Sequence, residues 1–266
     1  MVADIIEIAK SAGSVLKEGF GRNFQIEFKT NESNLVTEYD KKSEAVIMEY
    51  ISKKYPAHTI ITEESAGHKG SSEYAWVIDP LDGTTNFAHG FPVFSVSIGV
   101  TKGTEVIAGC VYDVMRDDLY CAEKGGGSYR NDKKLNVSST EILGRSLLVT
   151  GFPYDIAGNP YNAAGIFTEF LKHARGIRRL GSAAIDFCFV ASGAFDGFWE
   201  VHLNPWDICA GRLLVEEAGG RVTDFRGVNS ELFPKHILAT NGKLHKPMEE
   251  VIGRAFRPGE TVCPFN

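Results

Sequence analysis

No stretch of this 266-residue chain is apolar for long enough to cross a bilayer, which takes about 20 residues. Positive charge is short as well. Lys and Arg total 28 against 34 Asp and Glu, for a net charge of -6, which argues against a general nucleic-acid binder. An anionic substrate is still allowed, because bound cations reverse the sign locally. Cysteine is sparse: Cys110, Cys121, Cys188, Cys209 and Cys263 make an odd set with no Cys-x-x-Cys pair. Most lie in apolar segments, so we read them as buried, reduced thiols and expect a cytoplasmic protein. Met1-Val2-Ala3-Asp4 puts no basic region before an apolar core, so no signal peptide is expected. The seven histidines (His58, His68, His89, His173, His202, His236 and His245) show no zinc-site spacing and none is read as a ligand. There is no linker, low-complexity tract or internal repeat.

What remains is an ordinary globular composition, 43% apolar and 23% charged, on a chain long enough for a substantial core. Apolar residues recur at helical spacing over 2–19 and again over Ser43–Tyr55, where Pro56 ends the pattern. The polar segment Lys29–Asp40 between them reads as a loop or loose hairpin. From residue 59 the period becomes that of strands: Thr59–Thr62, Tyr74–Ile78, Phe94–Thr101, Glu105–Val114 and Leu119–Glu123. Their short connections suggest antiparallel pairing. Gly125-Gly126-Gly127 has no following helix and no GKS/T ending, so it reads as a turn. Beyond residue 145 the signals alternate. Strands are expected at Ser146–Thr150, Phe195–Glu200 and Ile237–Thr240, and helices at Tyr161–Ala174, Ser182–Ser192, Asp207–Ala218 and Leu244–Phe256. The expectation is an α/β layered fold in one compact domain, with approximate halves 1–145 and 146–266.

The richest stretch is Trp76-Val77-Ile78-Asp79-Pro80-Leu81-Asp82-Gly83-Thr84-Thr85-Asn86-Phe87. An apolar strand ends in two carboxylates three residues apart, and Pro80 favours a stiff turn that presents both. Gly83 lets backbone approach a ligand, and Thr84 and Thr85 can open a helical turn whose free N–H groups bind phosphate oxygens. Hydrolysis of a phosphate monoester by two hard cations needs three or four carboxylates arriving from different elements. Glu63 and Glu64 follow one strand, and Asp207 follows Pro205-Trp206 at a helix start. Each piece also has a plainer reading: an Asx-type turn, a solvated loop at Glu63-Glu64, an N-cap at Asp207. The plain readings account for the pieces separately and not for the combination.

Glu63-Glu64-Ser65, the Asp79–Thr85 run and Pro205-Trp206-Asp207 with Ala210-Gly211 resemble the inositol monophosphatase family, within the lithium-sensitive, Mg²⁺-dependent sugar and inositol phosphatases. The resemblance covers nearly the whole chain and implies an αβαβα sandwich of the inositol monophosphatase/fructose-1,6-bisphosphatase type. It implies two or three Mg²⁺ ions, for which Mn²⁺ can substitute. Glu63, Asp79 and the carbonyl of Leu81 would hold the first ion; Asp79, Asp82 and Asp207 the second; Glu63 would help with a third. Thr84 and Glu63 would position the nucleophilic water, with Asp40 bonded to Thr84, and the Gly83 and Thr84 amides would bind phosphate. Gly181-Ser182-Ala183, Glu200, Asp82 and Asp207 would contact the polyol. Lys29 matches a lysine on a mobile loop, or is a plain solvated lysine. Arg178-Arg179 could meet a second phosphate, or be a solvated pair.

The implied reaction is in-line attack of metal-activated water on a small phosphorylated polyol, first inositol 1-phosphate, with no phosphoenzyme. Fructose 1,6-bisphosphate, or both substrates, is the alternative. Gly151–Pro160 does not match the ring-binding loop expected of the family. A homodimer is implied, with no membrane or nucleic-acid partner. Some bacterial relatives also act as protein-binding factors in RNA metabolism, the reading of another class.

Overall fold

Two amphipathic helices cover one face of a seven-stranded sheet, and their spacing explains why. A computed structural model describes residues 1–257 except 30, 31, 33 and 229–231, so Cys263 lies outside the described residues. Helix α1 (Val2–Gly19) buries Ile5, Ile8, Ala9, Ala12 and Leu16, one stripe at helical spacing. A short antiparallel hairpin follows, β1 (Ile26–Phe28) and β2 (Leu35–Thr37). Helix α2 (Glu38–Lys54) then begins five residues earlier than the apolar pattern suggested. The cause is a cap. Thr37 Oγ1 accepts from Tyr39 N at 3.1 Å, while Asp40 Oδ2 accepts from Thr37 N at 2.8 Å.

The large sheet runs in the order β3-β4-β5-β6-β7-β8-β9. Its strands are β3 (Thr59–Thr62), β4 (Tyr74–Asp82), β5 (Ser95–Lys102), β6 (Glu105–Asp113), β7 (Asp118–Glu123), β8 (Gly127–Arg130) and β9 (Lys133–Lys134). From β4 onward neighbours pair antiparallel, as expected. The expectation fails at β3, which pairs parallel with β4, Thr62 beside Ile78. Residues 63–73 are long enough to carry the chain back to the start of β4, whereas a tight turn is restricted to antiparallel partners. The parallel register matters: both strands finish at the same edge, so Glu63 and Asp79 leave the sheet side by side. The stiff turn expected at Pro80 is instead a bulge within β4. Asp79 faces Ser97 but Asp82 faces Ser95, one residue out of step.

Helix α3 (Thr84–Ala88) follows β4 directly. The second sheet has the order β11-β10-β12-β14-β13 and mixes parallel and antiparallel pairs. It comprises β10 (Leu147–Thr150), β11 (Gly176–Arg178), β12 (Gly197–Val201), β13 (Arg221–Thr223) and β14 (His236–Thr240); β11 and β13 had no clear sequence signal. Helices α5 (Ala183–Ala191) and α6 (Pro205–Glu217) lie between the sheets, and α4 (Ala163–His173) and α7 (His245–Ala255) cover the outer face. The layers are therefore αβαβα. Val77, Tyr120, Phe187, Phe198, Leu214 and Ile237 share one buried cluster drawn from both halves of the chain. Helix α6 lies directly on the large sheet because Gly99 and Gly109 leave room. A Cβ on Gly109 would stand 2.9 Å from Ala210 Cα, and one on Gly99 would stand 2.3 Å from Cys209 Sγ.

Candidate active site

A cavity of about 450 Å³ opens between the two halves of the chain, lined by Glu63, Asp79, Asp82, Thr84, Glu200 and Asp207 among others. The elements deliver these residues for identifiable reasons. Glu63 follows the end of β3 and Asp79 belongs to the end of β4, brought together by the parallel register. The bulge re-aims Asp82, which reaches across to the second half of the chain. There its Oδ2 accepts from Ser182 Oγ and, at 2.9 Å, from Ala184 N, while Oδ1 accepts from Ala183 N at 3.2 Å. Asp82 is thus an anion seated at the N-terminus of α5, where helix amides favour negative charge. Ser182 and Ala183, read from the sequence as ring contacts, line the cavity and also donate to this carboxylate. Gly181 lines the cavity beside them.

Gly83 has φ +96°, and a Cβ on it would lie 3.0 Å from Val93 O, so the step from β4 into α3 calls for glycine. The first amides of α3, at Gly83 and Thr84, have no partner inside the helix and both residues line the cavity. Phe87 anchors α3 below, packed edge-on against Phe94 at 5.1 Å between centroids. Thr84 Oγ1 stands 3.0 Å from Asp40 Oδ1 and 3.0 Å from Leu81 O. Asp40 is held in turn by Thr37, whose hydroxyl donates to Oδ2 at 2.6 Å. The α2 cap and the Thr84 contact therefore use the two oxygens of one carboxylate. Asp207 is both things the sequence allowed: its Oδ2 accepts from Asn204 N at 2.7 Å as part of the α6 cap, and it lines the cavity.

The electrostatics are those of acids gathered without enough cations. Burial, then Glu63, Asp82 and Asp207, raise Asp79 well above the usual carboxylate range. Loss of hydration and Glu63 raise Asp207 as well. Burial lifts Asp82 to about 6 against the opposing hydrogen bonds of Ser182 and Ala184. Burial lifts Asp40 to about 6 against its bonds from Thr37. It takes Glu64 to about 7 with help from Glu63, and Glu200 to about 8, opposed by Arg179. Lys29 answers part of this charge, its Nζ donating to Glu63 Oε1 at 2.9 Å and to Glu64 Oε1 at 2.6 Å. The Glu64 side chain is 4% exposed, so Glu63-Glu64 is not a solvated loop, and Lys29 is not a free lysine.

These oxygens suit a hard divalent cation: carboxylates and a carbonyl, with no sulfur or imidazole among the candidates. The Lys29 ammonium already stands against Glu63 as a tethered positive charge. Among the described residues no three acidic, histidine or cysteine side chains converge tightly enough to hold an ion as they stand. Glu63, Asp82 and Asp207 each accept a hydrogen bond from a protein donor, Lys29, Ala184 and Asn204 respectively.

Among the lining residues that sequence reasoning missed are Asp186 in α5, Tyr154 in the β10–α4 connection, and His202 after β12. A signal for Asp186 existed, as the lone acid within the apolar helix Ala183–Ala191. Arg179 lines the cavity; Arg178 instead donates to the neighbouring carbonyl of Ile177 at 3.1 Å.

A layered αβαβα chain with an acid-lined, threonine-bearing cavity has the oxygen-donor set that a metal-dependent phosphoric monoester hydrolase needs. The comparisons agree. The inositol monophosphatase family model matches residues 1–257, and the chain belongs to that family. It is 42% identical over 248 residues to an inositol-1-monophosphatase of Synechocystis, covering 92% of this chain and 86% of that one. It is likewise 42% identical over 243 residues to the Nus factor SuhB of Pasteurella multocida, covering 91% of each. The solved inositol monophosphatase of Anabaena superposes with a TM-score of 0.86 at 40% identity, over 97% of this chain and 96% of that one.

Proposed function

We propose that the protein hydrolyses the phosphate monoester of a small polyol with Mg²⁺, inositol 1-phosphate first, releasing inositol and phosphate. The observation that carries this reading is the convergence of Glu63, Asp79, Asp82 and Asp207 on one cavity together with the Thr84–Asp40 pair. In this reading Glu63, Asp79 and the Leu81 carbonyl would hold one ion, and Asp79, Asp82 and Asp207 would hold another. When bound, the ions supply positive charge that offsets the phosphate and lowers the pKa of water. The remaining work falls to the chain itself. The amides of Gly83 and Thr84 bind phosphate oxygens at the start of α3. Thr84 Oγ1 donates to Asp40 Oδ1, which leaves an oxygen lone pair to accept from the attacking water, and Glu63 offers a second acceptor. Fixed dipoles of this kind cost no reorganisation as charge develops. Burial raises Glu200 to about 8, which favours a protonated carboxyl able both to donate to and to accept from a polyol hydroxyl.

The test is a phosphate-release screen at saturating Mg²⁺, with and without Li⁺. It would compare inositol 1-phosphate, fructose 1,6-bisphosphate, glycerol 2-phosphate and 3′-phosphoadenosine 5′-phosphate. Release chiefly from inositol 1-phosphate supports the reading, and no release from any ester overturns it. Inhibition by Li⁺, a homodimer and a cytoplasmic location belong to the same proposal. A second reading rests on the relatives named Nus factor SuhB: a protein-binding role in RNA metabolism. The retained carboxylates favour the enzyme. A pull-down with Asp79→Asn protein separates the two, because a binding role survives loss of the ions.

A further inference from the structure

The proposed hydrolysis leaves one buried acid of the cavity unused. Asp186 stands in α5, 1% exposed, and its Oδ1 has no hydrogen-bond partner. It nevertheless lines the cavity. A buried carboxyl oxygen without a partner costs free energy until something bonds it. Packing does not explain the residue either, since the neighbours Ile185 and Phe187 in the same helix are apolar and fully buried.

Its position gives the unpaired oxygen a purpose. Ser182 caps α5 and donates to Asp82; Asp186 follows four residues on and so shares that helix face. It stands one helical turn, about 5.4 Å, further along than the point where Asp82 is held. That step is of the order of a six-membered ring with its substituents. Glu200 brings a second carboxyl to the same wall from β12. It shares the inward side of that strand with Phe198 two residues before it. Its carboxyl lies close against Gly151, in space that a Cβ at that position would fill. Arg179, the one lysine or arginine among the residues lining the cavity, completes the wall. Two carboxyls and a guanidinium present both acceptors and donors, the set that a ring of hydroxyls can satisfy and an aliphatic ring cannot.

We propose that Asp186 is a specificity-determining residue: with Glu200 it receives a hydroxyl of the leaving polyol on the side away from the phosphate, and it selects hydroxylated rings over bare ones. The proposal rests on the reading of the substrate as a polyol monophosphate. Burial, with Glu200 and Asp82 as neighbours, raises the Asp186 carboxyl well above its usual range, which favours the form that can donate as well as accept.

The test compares two esters that differ only in hydroxyls, inositol 1-phosphate and cyclohexyl phosphate, on the full chain with Mg²⁺. Wild-type protein should prefer inositol 1-phosphate. Asp186→Ala should lower kcat/KM for that ester by about 10- to 100-fold, mainly through KM, and leave cyclohexyl phosphate within about threefold. Asp186→Asn, which keeps shape and hydrogen-bonding capacity, should recover most of the loss, with thermal melting confirming that both variants fold. An equal fall on both esters would show a structural role and overturn the proposal, as would no fall on either. Equal wild-type turnover of both esters would overturn it while leaving the hydrolase reading intact. No release from either ester would remove the hydrolase reading itself.

Discussion

Replacing Asp79 by Asn separates two effects that one carboxylate exerts in opposite directions. Asp79 is 2% exposed and shares its cavity with Glu63, Asp82 and Asp207. Without ions, burial and the neighbouring acids disfavour its ionised form, and relieving that cost is worth about 1–3 kcal/mol. Asparagine retains an Oδ1 acceptor for the Leu81 N–H, now bonded at 3.0 Å, so the bulge survives the change. In chelator, the variant should therefore melt about 2–12 °C above wild type, at roughly 2–4 °C per kcal/mol for a chain of this size. With Mg²⁺ the order should reverse. An ion at 100 times its Kd stabilises the native state by about 2.7 kcal/mol, and the variant forfeits at least one such contribution. Turnover should fall by about 10³-fold or more. Melting curves with EDTA and with Mg²⁺, beside a phosphate-release assay, read all three quantities. A variant that melts below wild type in EDTA, or keeps both turnover and the Mg²⁺-dependent rise, refutes the reasoning.

Two further outcomes follow from packing and from titration. Gly109→Ala places a methyl 2.9 Å from Ala210 Cα, so α6 must lift from the sheet; we expect a loss of about 1–3 kcal/mol in urea denaturation, with lower kcat as Asp207 moves with its helix. His245 is 1% exposed and bonded through both ring nitrogens, to Thr223 Oγ1 at 2.8 Å and Thr240 Oγ1 at 2.9 Å. Burial first, then Arg221, lowers its pKa from 6.5 to about 4, so the unfolded chain takes up the proton first. Its contribution is complete above pH 6.5 and drains away as pH falls toward 4. Between pH 7.5 and 5, wild type should lose about 2 kcal/mol more than His245→Gln, and parallel losses would refute this.

The four cavity acids were legible because each stands at an element end beside a local signature: a strand, a proline or a helix start. Their meeting was not, since it depends on the parallel pairing of β3 with β4 and on the one-residue bulge at Pro80, neither of which leaves a local pattern. Helix α2 was read as starting late because Thr37 to Asp40 are polar. Their polarity serves the cap, and only the fold shows that the same Asp40 also reaches Thr84. Asp186 escaped notice because nearly all of its helix reads as core, and a single acid there has no periodicity of its own. The strands β11 and β13, three residues each, are too short to announce themselves and are held by pairing with longer neighbours.

Helix α6 carries Asp207 and also fills the gap between the sheets. During synthesis on the ribosome this orders events. Glu63, Asp79 and Asp82 emerge early with β3 and β4, but the inner face of their sheet stays only partly covered until residues 205–217 leave the exit tunnel. Closure of the core and completion of the acid-lined cavity are then a single step, late in translation. A nascent chain cannot assemble the full ligand set before it has the means to bury it. A chain truncated before Pro205 loses the fourth carboxylate and the cover of its largest sheet together.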